Sequence, residues 1–204
     1  MTNTIEPRTV TRLDEVKGHA VARRALEIAA VGNHSVALIG PRAVGKSTLK
    51  QAAIAELGIP AERISVMDTC PCGYYSGCPH ECTCRTDKLE RWQRKLKRLA
   101  VNSDIQVECA EVPYKYMTAK TEYDEHRATR IQRARVFSAT NPRNFALTDS
   151  GERIREMAVR RLAIPMGELQ RIMAVARTIA DLDASATIDG RHIAEAIQYR
   201  TISR

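Results

Sequence analysis

Between an apolar run, Ser35-Val36-Ala37-Leu38-Ile39, and a helical stretch, Thr48 to Leu57, lies the octet Gly40-Pro41-Arg42-Ala43-Val44-Gly45-Lys46-Ser47. Two glycines at this spacing let the backbone curl into a nest of amide donors at a helix N-terminus, where the helix dipole favours an anion such as phosphate. Lys46 then reaches the β- and γ-phosphates of a nucleotide, and the Ser47 hydroxyl meets Mg²⁺, an ion that takes oxygen ligands. Strand, glycine loop and helix stand in the order such a P-loop requires. The octet therefore predicts an α/β fold with a parallel sheet that binds ATP and magnesium through Gly40, Pro41, Gly45, Lys46, Ser47 and Thr48.

With 204 residues the chain can bury a real core, and its length fits one domain plus a small second one. Glu6, Arg8, Arg12, Asp14 and Glu15 interrupt any apolar run behind Met1, and no stretch is long and apolar enough to span a bilayer. The expectation is a cytoplasmic protein with no membrane partner. A net charge of +8 favours an anionic partner, with nucleotide, nucleic acid and acidic protein all open. Aromatic residues make up only 4%, which argues against a single-strand binder built on rows of stacking rings.

Gly18 to Ala30 reads as a first helix that leads into the P-loop strand. After the P-loop helix, Gly58 and Pro60 break the chain, and Ile64-Ser65-Val66-Met67 reads as a second strand ending at Asp68. Leu89, Trp92, Leu96 and Leu99 then recur at helical spacing, with Arg91, Arg94, Lys95 and Arg98 on another side. A solvated face around one buried stripe is the ordinary reading of such a helix; contact with nucleic-acid phosphates is the other. Ile105 to Cys109 alternates as a third strand. From about Asp124 onward the pattern is helical, broken near Asn141-Pro142, Pro165 and Ala184 to Thr187, which gives a four-helix C-terminal region. In it Leu169, Ile172, Met173, Ala176, Ile179 and Ala180 mark a buried face, and Asp189 is an N-cap candidate.

Five of the six cysteines fall between Cys70 and Cys84, spaced C-x-C-x5-C-x3-C-x-C. Such density in a cytosolic chain points to metal rather than disulfides. Four thiolates close a structural zinc tetrahedron, for which Cys70, Cys72, Cys82 and Cys84 are the symmetric choice and Cys78 and His80 the substitutes. Cys109 stands apart in a strand and reads as a core residue.

Together these pieces resemble the magnesium-chelatase-like AAA+ ATPases, nearest the ComM/YifB branch. The resemblance rests on Leu13-Asp14-Glu15-Val16-Lys17-Gly18, Arg24-Ala25-Leu26-Glu27-Ile28-Ala29-Ala30, the P-loop, Cys70-Pro71-Cys72-Gly73-Tyr74 and Glu111-Val112-Pro113-Tyr114. It continues through Arg133-Ala134-Arg135, Ala176 to Leu182, His192, and Glu195 to Arg200. It implies a reduced P-loop NTPase core of AAA+ type over residues 1–118, containing the Cys-rich loop 70–84, and a helical C-terminal lid over 119–204. It also implies Val16 near the adenine, a homo-oligomeric ring or association with a full-length AAA+ relative, and, in the ComM-like branch, DNA as a partner.

Departures from the family pattern qualify this. Only Thr48 to Arg63 separates the P-loop from the second strand, where the family has its Walker B strand. Asp68 stands in the place of a sensor Asn, Asn102 in that of the arginine finger, and Gly167 in that of the second sensor Arg. Each such group is worth orders of magnitude in phosphoryl transfer, so the resemblance implies ATP binding with slow or absent hydrolysis. Lys46 and Asp68 are the candidate catalytic residues, Asp68 as a Walker B stand-in that holds Mg²⁺ through water. With the outer strands lost, the P-loop strand is expected between the other two, with the second strand as a new edge needing cover. The alternative to an ATP-binding AAA+ protein is a nonenzymatic, zinc-stabilised module that binds nucleic acid or protein.

Overall fold

The computed structural model describes residues 11–75, 81–141 and 145–200. The charged N-terminal run through Arg8, Cys78 and His80, and the break at Pro142 lie outside the described residues.

Three parallel strands, β1 (Val36–Gly40), β2 (Ile64–Asp68) and β3 (Ile105–Glu108), form a sheet in the order β2-β1-β3. The P-loop strand is thus central, as expected, and Gly40 pairs in register with Asp68. All five residues of β1 are buried, which explains its unbroken apolar sequence: a parallel strand covered on both faces has no polar side to show.

Helices α1 (Ala20–Gly32) and α2 (Lys46–Leu57) cover one face. In α1, Ala22, Ala25, Leu26 and Ala29 recur at helical spacing and are all buried. This helix begins two residues later than its apolar pattern, because Gly18 and His19 both hold positive φ, 68° and 53°, outside the right-handed helical region. The other face, where Ala37, Ile39 and Met67 point, is covered by Trp92, Leu96, Leu99 and Ala100 of α3 (Thr86–Asn102).

A short turn of helix, α4 (Tyr114–Met117), precedes α5 (Arg127–Thr140), α6 (Asp149–Leu162), α7 (Met166–Leu182) and α8 (Gly190–Gln198). These last four are the helical C-terminal region expected from sequence. Leu169, Ile172, Ala176, Ile179 and Ala180 of α7 are buried, with Met173 half-buried. Asp189 caps α8 by a reciprocal capping box with His192, each side chain satisfying the other's otherwise orphaned backbone amide. Helices α5 and α7 pack on α1, so one buried apolar cluster runs from Leu13 to Tyr199 across the whole described chain.

The two outer strands are covered differently. The Gln106 amide of β3 turns outward and donates to the Tyr199 carbonyl at 2.8 Å, so the end of α8 closes that edge. Along β2, Lys50 Nζ donates to the Ile64 carbonyl at 2.7 Å and Trp92 Nε1 to the Asp68 carbonyl at 2.9 Å. Side chains of α2 and α3 thus supply part of what a neighbouring strand would, leaving a groove of about 710 Å³ between them. No helix among the described residues is long and apolar enough to cross a membrane.

Candidate functional site: a phosphate loop beside a four-thiol cluster

The loop from Gly40 to Gly45 joins the central strand to α2. Gly40 is required by its neighbour: a Cβ there would stand 2.1 Å from the Cys109 carbonyl oxygen. Gly45, at φ 94°, is the N-cap of α2 and offers no side-chain cap. The first amides of that helix therefore have no intrahelical acceptor and face outward as donors. Ala43 also holds a positive φ, 64°, which strains a residue with a Cβ and is the kind of distortion that functional loops retain.

Lys46 is 4% exposed and folds back under the loop. Its Nζ donates to the carbonyls of Gly40, at 3.0 Å, and Pro41, and lies 3.0 Å from Asp68 Oδ1. Asp68 also faces Arg42 Nε at 3.8 Å. The ammonium is therefore paired to the residue proposed from sequence as the magnesium holder. Asp68 and Ser47 line the same groove along β2.

On the other side of the loop, a cavity of about 510 Å³ is lined by Val16, Lys17, Arg42, Ala43, Val44, Gly45 and Thr48 together with Tyr74, Glu111, Val112 and Met117. The structure so brings Val16 and Thr48 to one pocket. Gly40, Pro41 and Lys46 are not among the residues lining this cavity, and Ser47 lines the β2 groove instead. His19, which no local motif marks, has its Nε2 2.7 Å from the Val44 carbonyl oxygen. Burial, with the nearby Arg23 and Lys46 charges, lowers its pKa although the Val44 carbonyl acts to raise it. A neutral imidazole carrying its proton on Nε2 satisfies that contact. Asn102 is exposed at the end of α3, and nothing lies within 4 Å of the Cβ position of Gly167.

The four cysteines chosen by symmetry come together: the sulfurs of Cys70, Cys72, Cys82 and Cys84 all lie within 4.8 Å of one another. Sulfur separations are 3.2 Å for Cys70 and Cys72, 3.7 Å for Cys70 and Cys82, and 3.6 Å for Cys72 and Cys82. These are too long for disulfides, and the latter two match the edge of about 3.8 Å in a tetrahedron of sulfurs about 2.3 Å from zinc. The donor set fits that ion. The hydrogen bond with Cys70 lowers the Cys72 thiol to about 6. For Cys82 the backbone hydrogen bond with Cys84 pulls down, but burial and the neighbouring thiols push it up to about 12. A divalent cation bound to the four sulfurs favours their deprotonated forms. The Tyr75 amide donates to Cys70 Sγ at 3.2 Å. Cys109 is a buried core residue, and burial pushes its thiol up to about 11.

Residues 12–63 match the family description "Magnesium chelatase, subunit ChlI", and residues 83–200 match "Magnesium chelatase, subunit ChlI C-terminal". A relative from Escherichia coli (strain K12), named "Uncharacterized protein YifB", is 30% identical over 174 residues, or 74% of this chain and 33% of the relative. The chain thus spans about a third of that relative's length. The first match holds the whole P-loop, the second covers more than half of the chain, and the relative lies in the branch that the cysteine motif resembles. The chain belongs to the magnesium-chelatase-like AAA+ family, in its ComM/YifB branch.

Proposed function

We propose that the chain is a reduced AAA+ core with a helical lid, divided near residues 118 and 119, that binds Mg·ATP at the P-loop and turns it over slowly or not at all. The observation that carries this reading is the uncapped start of α2 at Gly45, with Lys46 buried beneath it 3.0 Å from Asp68. Phosphate takes the orphan amides and the lysine charge, Ser47 and Asp68 hold magnesium, and Val16 borders the base. Slow turnover follows from Asn102 and Gly167, which bring no cation to the places of the arginine finger and second sensor.

The test is Mg·ATP binding together with single-turnover hydrolysis on the full, zinc-supplied chain, with and without DNA. Saturable binding without appreciable turnover is the expected result. Turnover stimulated by DNA would make the chain a motor and overturn the second half of the proposal. In the cell the chain acts in the cytoplasm, with copies of itself or a full-length relative completing a nucleotide site.

One observation favours a second reading, a zinc-stabilised module that binds nucleic acid. Of the 17 residues of α3 only Ala100 is buried, and Lys88, Arg91, Arg94, Lys95, Lys97 and Arg98 are all exposed. DNA binding that persists without nucleotide and weakens steeply with salt supports it.

A further inference from the structure

The cysteine turn is bonded to the phosphate loop. Gly73, next to Cys72, donates its amide to the Cys70 carbonyl at 3.0 Å and accepts the Arg42 amide on its own carbonyl at 2.9 Å. The approach is close enough to exclude any side chain: a Cβ on Gly73, at φ 87°, would stand 2.6 Å from Arg42 Cβ. At the other end of the turn the Thr69 amide donates to the Gly40 carbonyl at 3.2 Å. The limb of the P-loop from Gly40 to Arg42 is thus held at two backbone points by a segment, Thr69 to Gly73, that carries two of the four clustered thiols.

That segment has no helix or strand to hold it. Its partners in the cluster, Cys82 and Cys84, are ten or more residues further along the chain, just before α3. An ion bound to all four sulfurs ties the Thr69 to Gly73 turn to the residues that lead into α3 and so restrains that turn. A phosphate nest binds well only when its amides are already aimed, so rigidity of the turn passes into affinity at the loop.

We infer that metal occupancy of the Cys70, Cys72, Cys82 and Cys84 site sets the geometry of the P-loop and thereby gates nucleotide binding. The inference rests on the nucleotide reading above. Linkage makes it reciprocal: bound nucleotide raises zinc affinity by the same factor that zinc raises nucleotide affinity.

The experiment uses the full chain in zinc-loaded, chelator-stripped and zinc-reloaded forms. Zinc is counted by elemental analysis, folding followed by circular dichroism, and Mg·ATP affinity measured by calorimetry. Loaded protein holds about one zinc ion per chain. Stripping weakens Mg·ATP binding about tenfold or more, and reloading restores it. Gly73→Ala keeps all four thiols and its zinc, yet loses nucleotide affinity to a similar extent. Equal affinity in stripped, folded protein and in loaded protein overturns the inference. So does a Gly73→Ala protein that holds zinc and binds Mg·ATP normally, which decides the matter if stripping unfolds the chain. Absence of zinc from protein supplied with it also overturns the inference, while leaving the nucleotide reading standing. Zinc-loaded wild type that binds no nucleotide refutes the nucleotide reading, and this inference falls with it.

Discussion

Asp68 is the residue on which the proposed magnesium site turns. It ends the strand beside the P-loop strand, pairs with Lys46 at 3.0 Å and shares a groove with Ser47. In the nucleotide reading proposed above, it is the acidic group that stands in for a Walker B carboxylate. Asp68→Asn keeps the shape and removes the charge, so ATP affinity in the presence of Mg²⁺ should fall by about 1.5 kcal/mol, roughly tenfold, with little change in its absence. Calorimetry with and without Mg²⁺ checks this; an unaltered Mg²⁺ dependence would remove Asp68 from the site. The P-loop residues and the four cysteines were legible in the sequence because local spacing alone defines them. His19, Tyr74 and Arg42 were not, because their roles rest on contacts such as that of His19 with Val44, 25 residues away, which no local pattern records.

Helix α3 turns an apolar stripe to the sheet and a cationic side to solvent. Its stripe of Leu89, Trp92, Leu96 and Leu99 is half-buried, and Trp92, Leu96 and Leu99 pack on the sheet face bearing Ala37, Ile39 and Met67. The basic side is solvated, and of its cations Arg91 has an acidic partner, Asp87 at 3.4 Å. Replacing Lys88, Arg91, Arg94 and Lys97 with Glu should leave the fold intact and weaken DNA binding. The slope of log affinity against log salt should drop by roughly 0.9 for each phosphate that is no longer neutralised. Unchanged DNA affinity in a salt titration would reduce this face to a solvated one. The strands and the longer helices were legible, since burial on two faces writes β1 as an apolar run, whereas the strand order came from the family resemblance and α4 had no signal. The start of α1 was not legible, because positive φ at His19 comes from its place against the loop rather than from its residue type.

Besides the apolar packing of α5 and α7 on α1, a buried charge cluster that no local pattern reveals ties the P-loop side to the C-terminal helices. Arg127 of α5, only 3% exposed, bonds Asp14 at 2.5 and 2.9 Å, Glu27 of α1 at 2.9 Å and Glu56 of α2 at 2.7 Å. Burial pushes the Asp14 carboxyl up, but the Arg127 contact and the Asp124 amide outweigh it and its net shift is downward. Truncating the arginine removes the cation that all three share, leaving Glu27 with Arg130, Asp14 with the Asp124 amide and Glu56 with the Leu13 amide, so Arg127→Met should cost about 3 kcal/mol in urea unfolding; a loss under about 1 kcal/mol would mean that the cluster does not hold the molecule together. Such partners, 71 to 113 residues apart in sequence, follow only from the assembled fold. Whether the molecule is built around a working phosphate loop is decided by titrating Mg·ATP into zinc-loaded wild type and Lys46→Ala by calorimetry. Wild type should bind saturably and the variant not at all. Equal affinity in the two, or no binding in the wild type, would contradict this expectation.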